Sequence, residues 1–198
     1  MLDNLSTMTE DGSINARIAQ RVRGLRAARG LSLEALANAS GISRSMISVV
    51  ERGESSPTAV LLEKLSAGLG VPLASLFEAP EASGEPVARA KDQPTWRDPH
   101  SGYIRRNVSP SGTGSPLQVV EVLFPPRARV AYETGARDPV THQQVWVLEG
   151  AIEITWGDDV FDLQQGDCLA MTLDRPTAFH NPHRKTARYA VVLTTPRR

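Results

Sequence analysis

The sequence has 198 residues, a formal net charge of zero, 40% apolar residues and a single cysteine. This apolar fraction is too high for a disordered chain, and no apolar run approaches the ~18 residues of a membrane-spanning helix. Residues 1–15 hold three acids and no Lys or Arg, unlike a secretory signal, and one cysteine cannot form a disulfide within the chain. We therefore expect a cytoplasmic protein of one or two domains that does not contact a membrane, with Cys168 as a buried, inert thiol.

The charges are unevenly distributed along the chain. Between residues 14 and 54, seven arginines stand against three glutamates. A basic segment on an otherwise neutral chain is typical of a module that contacts DNA, although a solvated basic helix has the same composition.

Apolar residues recur at helical spacing from residue 13 to residue 77, and capping residues and glycines divide this segment into five predicted helices. Residues 1–12 precede the pattern and are predicted to be a disordered tail. The second helix, residues 33–39, and the third, which starts after Ser43, are joined by a tight turn at Gly41. Two short helices joined in this way have the geometry of a helix-turn-helix, although other helical hairpins share it.

The third helix would lie in the major groove and present its outward side chains to DNA. Arg44 stands in its first turn, where a guanidinium can reach both O6 and N7 of guanine. The starts of the second and third helices are natural phosphate contacts, because helix N-termini attract anions. The predicted DNA-binding residues are Ser32, Ser43, Arg44, Ser45, Ser48 and Val49, with Arg17 and Arg21 as weaker phosphate contacts.

The sequence of residues 31–58, LSLEALANASGISRSMISVVERGESSPT, resembles the helix-turn-helix of the phage-repressor-like (Xre-type) regulators. The resemblance covers residues 17–77 and implies a compact bundle of four or five helices that binds double-stranded DNA as a homodimer. One position differs: Leu33 stands where many members carry a glutamine that contacts phosphate. Ser32 or Asn38 would have to supply that contact.

Residues 78–95 are rich in Pro, Ala, Glu and Gly and lose the apolar period, which is typical of a linker. In residues 96–198 the period changes to two. Short apolar segments bounded by Gly, Pro or Asp predict an antiparallel sandwich or barrel. The predicted strands are residues 103–108, 117–124, 143–148, 151–156, 160–163, 168–172, 178–180 and 188–193.

The segment HQQVWVLEG at residues 142–150, followed by LQQGD at 163–167, is similar to the cupins. The resemblance implies a jelly-roll, or double-stranded β-helix. The fold class is therefore a two-domain α + β protein, with an N-terminal five-helix bundle and a C-terminal all-β cupin-like domain. A helix-turn-helix followed by a cupin is a known regulator architecture.

Many cupins hold a metal through a His-x-His pair, a Glu and a later His. Alignment on Gly150 places Gln143 at the Glu position, and no histidine stands at the His-x-His position, which falls on Arg137 and Pro139 or on Ala136 and Asp138. His180 matches the later histidine, with Asp138 as a conceivable second ligand. Because a bound metal needs three or four converging groups, we predict no metal, no cofactor and no catalytic residue. A residual site at His180 stays open.

A barrel without its metal could hold a small effector or could serve to dimerise the chain. The candidate pocket residues are Tyr132, Gln143, Val145, Trp146, Trp156, Met171 and His180. The sequence thus predicts a sequence-specific DNA-binding transcriptional regulator, a repressor rather than an enzyme, whose partners are double-stranded DNA, a second copy of the chain and a small molecule. The alternatives are a cupin-type metal-dependent enzyme with an appended DNA-binding domain, and an antitoxin or adaptor.

Overall fold

The computed structural model of the chain describes residues 3–78, 84–133 and 140–194, with side chains from residue 14 onward. Its helical part contains the following elements: α1 (Asp3–Ala28), α2 (Leu33–Ser40), α3 (Arg44–Glu51), α4 (Ala59–Gly68) and a short 3₁₀ helix (Leu73–Phe77).

The described helical part has four α-helices, so the prediction of five is wrong in its last member. The fifth predicted helix is the five-residue 3₁₀ helix, which starts after Pro72 without a side-chain cap. A segment this short closes tighter 3₁₀ bonds more readily than a full α-helical turn. Helix α1 also begins at Asp3, within the predicted tail. The first ten residues contain no Pro or Gly, so nothing in them stops the helix from extending towards the N-terminus.

Side-chain caps fix the starts of the short helices. The Ser32 hydroxyl accepts a hydrogen bond from the Ala35 amide at 3.0 Å, and the Ser43 hydroxyl accepts one from the Met46 amide at 3.3 Å. Between the two helices Gly41 adopts a φ of +67°, a conformation that costs a residue without Cβ little. The predicted caps and turn of the helix-turn-helix are therefore confirmed.

The described residues that follow form ten strands, and every strand pair among them is antiparallel. They form a six-stranded sheet in the order β1-β2-β3-β10-β5-β8 and a four-stranded sheet in the order β4-β9-β6-β7. Their bounds are β1 (Thr95–Arg97), β2 (Ile104–Asn107), β3 (Leu117–Phe124), β4 (Arg129–Tyr132), β5 (His142–Glu149), β6 (Ala151–Trp156), β7 (Asp159–Gln164), β8 (Cys168–Thr172), β9 (Thr177–His180) and β10 (Ala187–Thr194).

The eight predicted strands all occur, whereas β1 and β4 are additional. Both are short, three and four residues long, so they offer little alternation to detect. The turn between β5 and β6 explains the glycine of the cupin-like segment. Gly150 has a φ of +77°, and a Cβ there would lie 3.0 Å from the Thr186 carbonyl oxygen. Cys168, expected to be buried, is exposed on the edge strand β8.

The core of the β-domain is continuous with that of the helical domain. A chain of aromatic contacts, with ring centroids 5.6–6.3 Å apart, runs from the 3₁₀ helix to the barrel interior. Its members are Phe77, Trp96, Tyr103, Phe124, Tyr189 and Phe179.

Polar groups join the two domains beside this aromatic chain. The buried Asp98 carboxylate, after β1, accepts from the Ala59 amide at 2.9 Å and so caps the start of α4. Asn107 donates to the Ala74 carbonyl at 3.0 Å. Glu78 accepts from Arg21 at 2.7 Å and from Gln118 at 2.9 Å. The β-domain thus completes the hydrogen bonding of the helical domain.

We predict that Asp98→Ala lowers the free energy of unfolding by about 1–3 kcal/mol, because it leaves the buried Ala59 amide without an acceptor. Urea denaturation of the full chain measures this change. Asp162→Ala, on the exposed side of β7, is the control and should leave the midpoint in place. Equal effects of the two substitutions would show that the junction does not depend on this cap.

Candidate DNA-binding surface and effector cavity

Helix α3 turns Ile47 and Val50 into the core and exposes its first turn. Arg44 and Ser45 are exposed, and Arg44 forms no ion pair with any residue that the structure describes. Ser43 is engaged as the cap, and its hydroxyl lies 3.1 Å from that of Ser45. These positions suit contact with DNA, and their role remains a prediction.

The other predicted DNA contacts differ in their surroundings. Ser48 and Val49 are half-buried, and the Ser48 hydroxyl accepts from Arg52. Ser32 is exposed at the start of α2, and Arg17 is half-buried on α1. Arg21 is bound to Glu78 and to the Ser75 carbonyl at the domain junction, so its guanidinium is already engaged there.

An ion pair that the sequence analysis did not single out holds the end of α3. The Nε and Nη2 atoms of Arg26 donate to the two carboxylate oxygens of Glu51 at 2.6 and 2.8 Å. Its Nη1 also donates to the Leu31 carbonyl at 2.8 Å. The Glu51 side chain is only 9% exposed, so this bidentate pair fixes the end of α3 against α1 where solvent screening is weak.

We predict that Arg26→Gln lowers the free energy of unfolding by about 1–3 kcal/mol, because it leaves the largely buried Glu51 carboxylate without its cationic partner. The double substitution with Glu51→Gln should recover part of this loss in a double-mutant cycle. Arg52→Gln is the matched control, since its pair with Glu54 is bidentate but exposed, and it should change the urea midpoint little. An equally small effect at both pairs would contradict the assignment.

A cavity that opens to solvent lies where the β-domain meets the helical domain. The space between its walls, including the solvent-filled opening, is about 730 Å³. The helical domain contributes Glu63, Pro72 and Leu73 to its wall, and the β-domain contributes the rest, from strands of both sheets and from residues next to them. Its polar lining residues from the β-domain are Tyr103, Arg105, Tyr132, Thr141, Gln143, Thr177 and Tyr189. The apolar ones are Val122, Phe124, Leu173, Phe179, Val191 and Leu193.

Burial controls the ionisation of the cavity phenols. It raises the pKa of Tyr132 and Tyr189 well above the usual value, and it raises the pKa of Tyr103 as well. The Tyr103 and Tyr132 hydroxyls lie 3.3 Å apart. These tyrosines therefore remain neutral hydrogen-bonding groups at neutral pH.

The structure brings two of the predicted pocket residues, Tyr132 and Gln143, to the cavity wall. The inward-facing Val145 and Met171 are buried in the core beside it. Trp146 points outward and is half exposed, because side chains alternate along β5. Trp156 and His180, on β6 and β9, are half-buried outside the lining set. That these residues bind a ligand stays a prediction.

Arg105 is one of the lining residues that the sequence analysis missed. Strand β2 alternates in burial, with Arg105 and Asn107 on its inner face. The pattern of alternation could have placed Arg105 inward, but an arginine at such a position is usually solvated.

The histidine of the second cupin motif has a protein partner. His180 Nδ1 lies 3.2 Å from a carboxylate oxygen of Glu153 on the neighbouring strand. Within residues 3–78, 84–133 and 140–194, no three His, Cys, Asp or Glu side chains gather in a way that could hold a metal ion. Asp138 lies outside the described residues. In the same ranges, none of the helices combines the length and apolar character that a membrane crossing needs.

Comparison with known proteins agrees with this architecture. Residues 22–76 match the family model described as Helix-turn-helix. The HTH-type transcriptional regulator SutR of Escherichia coli (strain K12) is 37% identical over 76 residues, which cover 38% of this chain and 43% of SutR. The HTH-type transcriptional regulator PuuR of the same organism is 27% identical over 163 residues, covering 82% of this chain and 86% of PuuR.

A solved structure resembles the whole chain. The crystal structure of an HTH_3 family transcriptional regulator from Vibrio cholerae has a TM-score of 0.76 and 25% identity, and covers 94% of this chain and 99% of that one. The helical part is thus a DNA-binding domain of the helix-turn-helix class. Residues 22–76 thus form a domain of the Helix-turn-helix family, and the chain is similar to transcriptional regulators that carry this domain.

Proposed function

We propose that the protein is a dimeric, sequence-specific transcriptional repressor whose cupin-like domain binds a small effector. One observation carries the effector part of this proposal: the cavity wall includes Glu63, Pro72 and Leu73 of the helical domain as well as strands of both sheets. A ligand there would contact both domains, so a change in their relative position would change its affinity. Differential affinity of this kind is what an allosteric effector requires.

The DNA-binding part rests on the exposed first turn of α3. Its cap at Ser43 and its ion pair at Glu51 fix both ends of the helix, and Arg44 extends from the free face. Such a helix reads base edges with its N-terminal residues, while a dimer reads two half-sites one helical turn apart. A regulator of bacterial genes acts in the cytoplasm, which is the location we propose.

A role in regulation rather than catalysis is supported by the names of the relatives, which are all transcriptional regulators. The alternative, a cupin-type metal-dependent enzyme, predicts stoichiometric Fe, Mn, Ni or Zn in the purified protein. Elemental analysis together with a DNA-binding measurement separates these functions.

We predict that Arg44→Ala weakens binding to the preferred DNA site by about 1–3 kcal/mol and relaxes the preference at one base pair of each half-site. The site would first be selected from random duplexes with the wild-type protein, and affinities would be measured at a fixed salt concentration.

The matched control is Arg97→Ala, which removes an exposed arginine from β1 in the other domain and should leave the affinity unchanged. Undiminished binding by the Arg44→Ala protein would show that α3 is not the recognition helix. A selected site with a single half-site would contradict the dimer.

A further inference from the structure

We propose that the effector is a small organic monocarboxylate, whose charge is held by Arg105 and whose apolar body fills the cavity. The inference rests on the proposed function and names the chemical class that the same cavity takes.

The guanidinium of Arg105 is buried without a full set of partners. The residue is only 7% exposed, and its Nε and Nη2 atoms are enclosed but have no hydrogen-bond acceptor among the described residues. Its guanidinium carbon lies 5.5 Å from the centroid of the Phe77 ring, a cation–π contact that uses none of its N–H donors. A buried cation whose donors are unused is costly unless an anion pairs with it.

The two free donors are the pair that binds a carboxylate side-on. Nε and Nη2 lie on the same edge of a guanidinium and direct two parallel N–H groups outward. In this same molecule Arg26 uses these two atoms to hold both oxygens of Glu51. The free edge of Arg105 therefore matches a planar, two-oxygen anion.

The described groups around Arg105 do not neutralise its charge. The titratable neighbours of Arg105 are Tyr103, Tyr132 and Tyr189, and burial raises the pKa of each phenol, so these side chains stay neutral. Burial also lowers the pKa of Arg105, which is the expected sign for a cation without a counterion. Glu63 is the carboxylate of the described wall, and neither Nε nor Nη2 of Arg105 donates to it.

The remainder of the wall selects the body of the ligand. Aromatic and aliphatic side chains such as Phe124, Phe179 and Leu193 form most of it. Thr141, Gln143 and Thr177 add a few hydroxyl and amide groups, all on buried residues. Arg105 is the one cation among the described lining residues, so a singly charged ligand fits better than a phosphate dianion.

Calorimetric titration of the full chain tests the inference with defined probes. Butyrate, hexanoate and benzoate would be compared with their amides, which have nearly the same shape but no charge. We expect the tightest carboxylate to bind about tenfold or more tightly than its amide, since a charge-assisted pair contributes about 1.5–3 kcal/mol. Phosphate or sulfate at equal ionic strength should not displace it.

Two variants locate the charge preference. Arg105→Met keeps an unbranched side chain but removes the guanidinium, and it should abolish the preference for carboxylate over amide. It should also leave the unliganded melting temperature unchanged or higher, because it removes a buried unpaired cation. Arg129→Met, on the exposed side of β4, is the control and should behave as wild type in both measurements.

Any of the following binding results would overturn the inference: equal or tighter binding of the amides, no binding of any carboxylate at millimolar concentration, displacement by phosphate or sulfate, or an unchanged preference in Arg105→Met. A lower melting temperature of unliganded Arg105→Met would also contradict it and would indicate a structural arginine. Failure of the proposed function is distinguishable, because there a carboxylate would bind through Arg105 without altering DNA affinity. Conversely, a neutral ligand that altered DNA affinity would support the proposed regulatory function and would show that the effector is not a carboxylate.

Discussion

A guanidinium group buried between two domains is the constraint around which the functional part of this structure is arranged. Arg105 lies on the inner face of β2, two residues before Asn107, and these side chains reach Phe77 and the Ala74 carbonyl of the helical domain. The same guanidinium lines the cavity. Neutralising its charge would therefore alter the electrostatics of the junction and the occupancy of the cavity together, since low-dielectric surroundings strengthen both effects.

Under the proposed function, the domain junction relays such a change to the helical domain. Asp98 caps α4, Asn107 donates to the Ala74 carbonyl, and Glu78 links Arg21 of α1 to Gln118 of β3. Within the bundle, the Arg26–Glu51 pair connects α1 to α3. These contacts connect the β-domain to α3 through α1, and energetic coupling along them is the hypothesis that a linkage measurement tests.

Most of the fold follows from local signals in the sequence. The caps Ser32 and Ser43 and the turn at Gly41 lie at the predicted positions, and the eight predicted strands occur. These elements are predictable because apolar periodicity and capping or turn residues act over a few residues of sequence. The functional site was harder to predict from the sequence than the fold was. Tyr132 and Gln143 line the cavity, whereas Trp146 points outward and Arg105 was missed. The role of Arg105 could not be predicted from β2 alone, because its neighbour Phe77 and the other cavity residues are distant in sequence and meet only in the folded chain.

The central claim is that occupancy of the cavity and affinity for DNA are linked. The direct measurement is the affinity for the selected DNA site with and without the most tightly binding carboxylate probe, together with the affinity for that probe with and without DNA. Linkage requires the same factor in both directions, and a coupling of typical size would change each affinity about fivefold or more. If the probe saturates the protein while the affinity for DNA stays the same, the cavity does not regulate the helix-turn-helix and the account is wrong.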